Sequence, residues 1–307
     1  MVDRQIGKYR ILHTLGQGGE GIVYLAKDAD LGRWVALKCL RKDAHPGEGE
    51  AIRREAAFLR DLRHPMLPVV YELFHGNACE NEAPFWEDGW YLAMEYIAGM
   101  SLHNFIEARG GVCEEQACLW GEALLDVLIY LHTRKTPVIY GDLKPDNIIV
   151  CQDGSLKLID FGAAFLRNYG EKGDGRLALT AGFCAPEQQG LAGRQPYADE
   201  RSDIYAFGRT LYYMVTGAHP GKPPYGRLAP SLYNPLLSPG FERLVERCTM
   251  EEPGERYQVA AEVLCDLREH GRFKRGTGKR GFLRRVEKQI CLVQTEGCGC
   301  FAEGFRI

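Results

Sequence analysis

Tyr140-Gly141-Asp142-Leu143-Lys144-Pro145-Asp146-Asn147 is the stretch whose reading decides the fold. It is polar, short and carries a proline, so it reads as a loop. Apolar runs flank it, Val138-Ile139 before and Ile148-Ile149-Val150 after. It presents a carboxylate (Asp142), an ammonium (Lys144) and a side-chain amide (Asn147) within one short span. Those types match what transfer of a phosphoryl group needs: a group to orient a hydroxyl, a cation for developing charge and a metal ligand. Further on, the strand-like Leu156-Lys157-Leu158-Ile159 runs into Asp160-Phe161-Gly162, which puts a second metal-binding carboxylate on a neighbouring strand end.

Upstream, Tyr9-Arg10-Ile11-Leu12 and Gly21-Ile22-Val23-Tyr24-Leu25-Ala26 read as strands around Gly16-Gln17-Gly18-Gly19-Glu20-Gly21. Glycines at 16, 18 and 21 let backbone N–H groups approach phosphate oxygens closely. A dinucleotide-binding fold competes for such a pattern, but it requires a helix after the glycines. Here β-branched Ile22 and Val23 follow at once, which favours a hairpin over a nucleotide. Trp34-Val35-Ala36-Leu37-Lys38-Cys39-Leu40 is a third strand. A lysine in such an apolar run is costly unless paired. A helix from about Glu50 to Leu62 supplies candidate partners, Glu50 and Glu55. Val69–Phe74 and Trp90–Tyr96 are two more strands, joined by a link, 75–89, that is long for a hairpin and reads as a docking loop or an inert insertion. From Ser101, a plausible N-cap, the pattern turns helical: 102–109, then about 114–134 with Ala117, Trp120, Leu124, Val127, Leu128 and Leu131 as core. Asp203 opens an apolar helix to about Thr216, residues 218–237 are rich in Pro and Gly, and helices at about 239–249 and 257–269 close the pattern.

The chain has 307 residues and a net charge of −3, and that balance gives no sign of a nucleic-acid binder. The average hides an asymmetry. Residues 271–307 hold nine Lys or Arg against three Glu, a net of +6, which leaves −9 on residues 1–270. Eleven scattered cysteines without a CxxC pair read as free thiols of a reducing cytosol, not as a disulfide framework. Met1-Val2-Asp3-Arg4-Gln5 lacks a signal-peptide core and no run approaches ~18 apolar residues, so a cytoplasmic protein is expected. In the tail, Phe282, Val286, Ile290 and Val293 recur at helical spacing with Arg284, Arg285 and Lys288 on other faces. This fits an amphipathic helix that meets acidic lipids or an acidic partner, and it also fits a helix packed on the acidic domain. Cys291, Cys298 and Cys300 lack a nearby His and make a weak metal set.

Taken together, the glycine pattern, Val35-Ala36-Leu37-Lys38, the loop, Asp160-Phe161-Gly162, Ala185-Pro186-Glu187, Asp203 and Arg256 resemble the ordered motifs of protein kinases, over about residues 8–270. The likeness is to eukaryotic-type Ser/Thr kinases, bacterial members in particular. It implies an α+β, two-lobed fold: a five-stranded antiparallel N-lobe with one helix (about 8–94), a hinge (95–100), a mainly helical C-lobe (101–270), and a basic tail (271–307). ATP would lie in the cleft with Mg²⁺, and proteins with Ser or Thr hydroxyls would be substrates. The resemblance makes Glu55 the partner of Lys38, because Arg53-Arg54-Glu55 through His64-Pro65 is similar to the family's third helix and its exit. The nucleotide set it implies is Gly16, Gly18, Gly21, Val23, Ala36, Lys38, Glu55, Met94, Glu95, Ile97 and Ile149. In that reading the hinge backbone meets the adenine edge and Met94 closes the back of the pocket. Asn147 and Asp160 would bind Mg²⁺, Asp142 would accept the substrate hydroxyl's hydrogen bond, and Lys144 would touch the γ-phosphate. A lysine two residues past that Asp is the Ser/Thr pattern. Glu187 and Arg256 would form a buried pair under the substrate platform, and Asp203 would hold the loop backbone.

Two residues depart from the family. Its His-Arg-Asp is Tyr140-Gly141-Asp142 here. Tyr140 is apolar enough to stack beside Phe161 and Leu59 as the His does. The missing arginine normally pairs with an activation-loop phosphate, and residues 163–179 contain no Ser or Thr, only Tyr169. Thr180 is implied to touch the catalytic Asp and Lys. Two other functions compete: a pseudokinase, against which Lys38, Asp142, Asn147 and Asp160 are all present, and a small-molecule phosphotransferase, whose loop shares Gly-Asp but which lacks the protein-substrate platform.

Overall fold

Apolar alternation and tight turns set up the first lobe. In the computed structural model, which describes residues 4–17, 21–39, 48–76, 89–167, 179–190, 195–223 and 228–274, β1 (Arg4–Ile6), β2 (Tyr9–Gln17), β3 (Ile22–Asp28), β4 (Trp34–Cys39), β5 (Val70–Gly76) and β6 (Gly89–Glu95) form one sheet. Its order is β1-β2-β3-β4-β6-β5 and every pairing is antiparallel. Sequence reasoning leads to five strands, and the sixth is β1. Three residues carry too little alternation to read as a strand. What holds them is Ile6, which pairs with Tyr9 across the Gly7-Lys8 turn and is buried in the same cluster as Tyr9 and Tyr24. β4 is buried on both faces, as its near-continuous apolar run demands. The helix α1 (Glu48–Asp61) packs on β5 and β6.

The second lobe is helical. Ser101 caps α2 (Leu102–Arg109) by accepting from the Asn104 N–H at 3.2 Å. In α3 (Glu114–His132) every apolar position expected to be core is buried. Between α3 and the next long helix lie β8 (Val138–Ile139), β9 (Ile148–Cys151), β10 (Leu156–Leu158) and β11 (Phe165–Leu166). β9 pairs with β10 and with β7 (Gly99–Ser101), and β8 pairs with β11. The pairs hold the 140–147 loop and the Asp160 turn side by side at their ends.

α4 (Glu200–Thr216) begins three residues before Asp203, because Asp199 caps it by accepting from the Arg201 N–H at 2.9 Å. It is buried nearly all round, which makes it the central helix of the lobe. In 218–237 the described residues hold only a 3₁₀ turn, Pro230–Leu232, in line with the Pro- and Gly-rich sequence. Pro239–Cys248 (α5) and Ala260–Lys274 (α6) pack against α4 and α3. Among the described residues no helix is long and apolar enough to cross a membrane, and the cysteines are free thiols. Gly18, the bulk of the 75–89 link and the 282–300 tail features lie outside the described residues.

Candidate active site

β4 delivers Lys38 into the interlobe cleft with 7% of its surface exposed. Its Nζ donates to Glu55 Oε2 at 2.7 Å and to Asp160 Oδ1 at 2.9 Å. Glu55 reaches it from α1 and also accepts from the Phe161 N–H at 3.2 Å. Of the two candidate partners for Lys38, Glu55 is therefore in place. Burial works against the charge on Lys38, but Glu55 and Asp160 outweigh it and hold its pKa above the ordinary lysine value. Burial likewise opposes ionisation of Asp160, and Lys38 beside it holds that carboxyl below the usual range. Asp160 has φ of 64°, the one positive φ on a non-glycine among the described residues. Such a conformation persists only where surrounding bonds hold it. Here they are the Lys38 bond and a 3.2 Å bond from the Gly162 N–H to Asp160 Oδ1.

The 140–147 loop closes on the other side. Asp142 Oδ2 accepts from Lys144 Nζ at 2.5 Å, and its Oδ1 from Thr180 Oγ1 at 2.7 Å. Lys144 also reaches Thr180 Oγ1 at 3.1 Å. Asn147 Nδ2 donates to the Asp142 carbonyl at 2.9 Å, which bends the loop back on itself. Buried Asp203 then fixes the loop's start: its oxygens accept from the Tyr140 and Gly141 N–H groups at 2.9 and 2.8 Å, and His132 Nε2 lies 2.8 Å away. Gly141 has φ of 79°, which a glycine adopts without strain. Tyr140 is fully buried and meets Phe161 edge-on with centroids 5.0 Å apart. Its hydroxyl donates to the Ile159 carbonyl at 2.5 Å. Leu59 belongs to the same core cluster.

The remaining predicted nucleotide residues line up around Lys38. Gly16 pairs with Val23 across the β2–β3 hairpin, so a strand and no helix follows the glycines. Ala36 and Met94 are opposite one another on β4 and β6, and Val23 packs with them. Gly21 is buried beside that hairpin, while Ile97 and Ile149 are half-buried. The side chain of Glu95 is engaged elsewhere: its carboxylate accepts from Lys157 Nζ at 3.1 and 3.2 Å and from the Val69 N–H at 3.2 Å. Behind the loop, Arg256 and Glu187 make a two-pronged pair at 2.8 and 2.9 Å, with Arg256 1% exposed.

The chain as a whole matches the protein kinase domain over residues 9–260. It belongs to the protein kinase family. Among curated relatives, the probable serine/threonine-protein kinase SCO3848 of Streptomyces coelicolor is 31% identical over 279 residues, 85% of this chain and 39% of that one. The serine/threonine-protein kinase PrkC of Bacillus subtilis is 30% identical, over 85% of this chain and 40% of that one. This kinase chain therefore spans about two fifths of the length of those relatives. The solved kinase domain of PknI from Mycobacterium tuberculosis shares the fold, with a TM-score of 0.66 over 88% of this chain and 98% of that one, at 23% identity.

The candidate site also holds residues that sequence reasoning missed. Gln188, 2% exposed, donates to the Gly141 carbonyl at 3.0 Å and accepts from the Ala185 N–H at 2.8 Å, joining the loop to the Ala185-Pro186-Glu187 turn. Ser202 Oγ donates to Glu187 at 2.7 Å. Arg167 pairs with Glu200, and its N–H donates to the Pro137 carbonyl at 2.8 Å. A polar residue directly after Pro-Glu was the available signal for Gln188; nothing local marks Arg167.

Proposed function

We propose that this chain is an ATP- and Mg²⁺-dependent protein kinase that transfers the γ-phosphoryl group to Ser or Thr hydroxyls of proteins, with Tyr-Gly-Asp in place of His-Arg-Asp. The observation that carries the reading is the closed bond set Glu55–Lys38–Asp160 facing the set Lys144–Asp142–Thr180. In it, Lys38 binds the nucleotide's phosphates, and Glu55 keeps the ammonium aimed. Asp142 accepts the hydrogen bond of the acceptor hydroxyl and orients its oxygen toward phosphorus. Lys144 offsets charge that develops on the transferred group. An amide and a carboxylate, Asn147 and Asp160, suit a small hard cation that keeps several waters and shares phosphate oxygens. Mg²⁺ bound there would neutralise phosphate charge and fix the phosphates for in-line transfer. Val23, Ala36, Met94 and Ile149 offer apolar walls to the adenine. Glu95 and Ile97 contribute backbone, consistent with the engagement of the Glu95 carboxylate by Lys157.

We infer also that the activation segment needs no phosphate. Gly141 offers no guanidinium to receive one, and a phosphate acts mainly through such pairing. The segment has other holds instead: Arg167 on Glu200, Gln188 on Gly141, and Arg256 on Glu187. The domain boundaries at about 270, a cytoplasmic location and tail contact with an acidic surface belong to the same proposal.

The test is incubation of the full chain with Mg-ATP and dephosphorylated casein, with phosphosites mapped by mass spectrometry. Phosphoserine or phosphothreonine should form, and Asp142→Asn should cut the rate by about 10²-fold or more. Near-wild-type transfer by Asp142→Asn would show the catalytic assignment to be wrong.

A further inference from the structure

α4 carries a buried arginine that the catalytic reading leaves unused. Arg209 is 8% exposed. Its Nε donates to the Gly182 carbonyl at 2.9 Å, and its Nη2 to the Pro220 carbonyl at 3.3 Å. Its guanidinium lies over the Tyr212 ring, 5.5 Å from the centroid. Among the described residues no carboxylate pairs with it. Burial holds its pKa below the ordinary arginine value, with Tyr205 and Tyr212 opposing. A buried cation without a counter-charge is costly, and an apolar residue would serve a core helix better. Arginine's planar fork is suited to spanning two fixed acceptors at once.

The two carbonyls belong to segments far apart in the chain. Gly182 lies two residues after Thr180, which bonds Asp142 and Lys144. Pro220 lies in the turn that follows α4. Here the two backbones touch. A Cβ on Gly182, at φ of 85°, would sit 2.1 Å from the Gly221 nitrogen, and a Cβ on Gly221 would sit 2.5 Å from the Ala181 carbonyl oxygen. Phe183 and His219 add a ring contact across the same seam, edge to face at 5.3 Å.

We propose that Arg209 is a positioning residue: it clamps residues 179–185 to the 217–223 turn and so sets where a protein acceptor lies opposite Asp142. The proposal rests on the protein kinase reading above and names a residue through which that site would recognise its protein substrate. Its logic is mechanical. Residues 179–185 include Thr180, so a shift at Gly182 moves the acceptor platform. Misplacement of about 1 Å is enough to weaken transfer many-fold. Lys38, Glu55 and Asp160 lie outside the seam, so nucleotide binding should not follow.

The experiment compares full-length wild type with Arg209→Met, Arg209→Lys and Gly221→Ala, using Mg-ATP and dephosphorylated casein. In Arg209→Met the KM for casein should rise about tenfold while the KM for ATP stays near wild type, as expected when a platform moves and a nucleotide site does not. Arg209→Lys should restore part of the loss, since an ammonium reaches one carbonyl at a time. Gly221→Ala should reproduce the casein effect from the other side of the seam. Amide exchange gives a second readout that needs no turnover. Arg209→Met should speed exchange in 179–185 and 217–223 by about tenfold, the loss of roughly one buried hydrogen bond, while 140–150 keeps its protection. Unchanged exchange in both segments, uniform acceleration along α4, or an equal rise in the KM for ATP would overturn the clamp. A wild type that phosphorylates no casein, combined with the segment-specific exchange change, would count against the kinase reading and leave the clamp standing.

Discussion

Replacing Gly141 by alanine should destabilise the chain even though it adds only a methyl group. The residue has φ of 79°, in the left-handed region, where an L-residue costs roughly 1–2 kcal/mol. It cannot relax out of that region cheaply. Its N–H donates to buried Asp203 at 2.8 Å and its carbonyl accepts from buried Gln188 at 3.0 Å. Losing the first, a bond to a charged group, would itself cost about 1.5–3 kcal/mol. The new Cβ would also lie 3.0 Å from the Ala163 carbonyl, a distance the neighbour must yield to. A loss of about 1–2 kcal/mol corresponds to a fall in Tm of roughly 2–8 °C for a domain of this size. Differential scanning fluorimetry of wild type, Gly141→Ala and Gly141→Arg measures it. Gly141→Arg, which restores the family's residue, should fall at least as far, because the conformational term depends on having a Cβ. An arginine variant with wild-type Tm would refute the reasoning that the backbone here requires glycine.

Lys38→Met should lose mostly kcat in the casein assay, because the ammonium is buried between Glu55 and Asp160 and its replacement leaves two carboxylates facing each other. Tyr140→Phe keeps the edge-on contact with Phe161 but leaves the Ile159 carbonyl without its 2.5 Å donor, a cost of about 1–3 kcal/mol, seen as a lower Tm. The Asp160 carboxyl has its pKa lowered in the folded chain, so its contribution to stability is complete above the unfolded value of 3.8 and is lost as pH falls through the lower folded value. Asp160→Asn should therefore flatten that acid limb in pH-dependent unfolding, and should remove Mg²⁺-dependent nucleotide binding; an unchanged limb would show that the carboxyl is not so held. Phosphatase treatment should leave the initial rate of transfer unchanged, whereas strong loss restored only by phosphate on Thr180 or Tyr169 would defeat the argument from Gly141.

Much of the site was legible because its chemistry sits in short, contiguous strings. Asp142, Lys144 and Asn147 share one loop, and Lys38 declares itself as a lysine inside an apolar strand. Helix limits were close where a cap residue stands at the junction, as Ser101 does for α2. They were off at α4, where Asp199 caps the helix through its own side chain and the apolar pattern begins only later. What was not legible depends on separation. Gln188 meets Gly141 across 47 residues and Arg209 meets Gly182 across 27, and both bonds end on backbone carbonyls. A carbonyl has no residue identity, so no pattern of side chains announces it. β1 was missed for a different reason: its stabilisation lies in Ile6 joining a core that only the folded sheet assembles.

These separate bonds converge on one helix. Glu200 takes Arg167, Ser202 takes Glu187, Asp203 takes the Tyr140 and Gly141 amides, and Arg209 takes Gly182. The partners lie in the 140–147 loop or at residues 167, 182 and 187, yet all are referred to a single rigid element. α4 is buried nearly all round, so its place is set by the packing of α3 and α5 and not by any charge at the surface. Interiors packed to that density have discrete arrangements and resist small displacements. A phosphate on a segment so anchored would add one more charged contact to a geometry the core already specifies. On the proposed reading, the burial of α4 would supply the ordering that an arginine at position 141 would otherwise draw from a modified side chain.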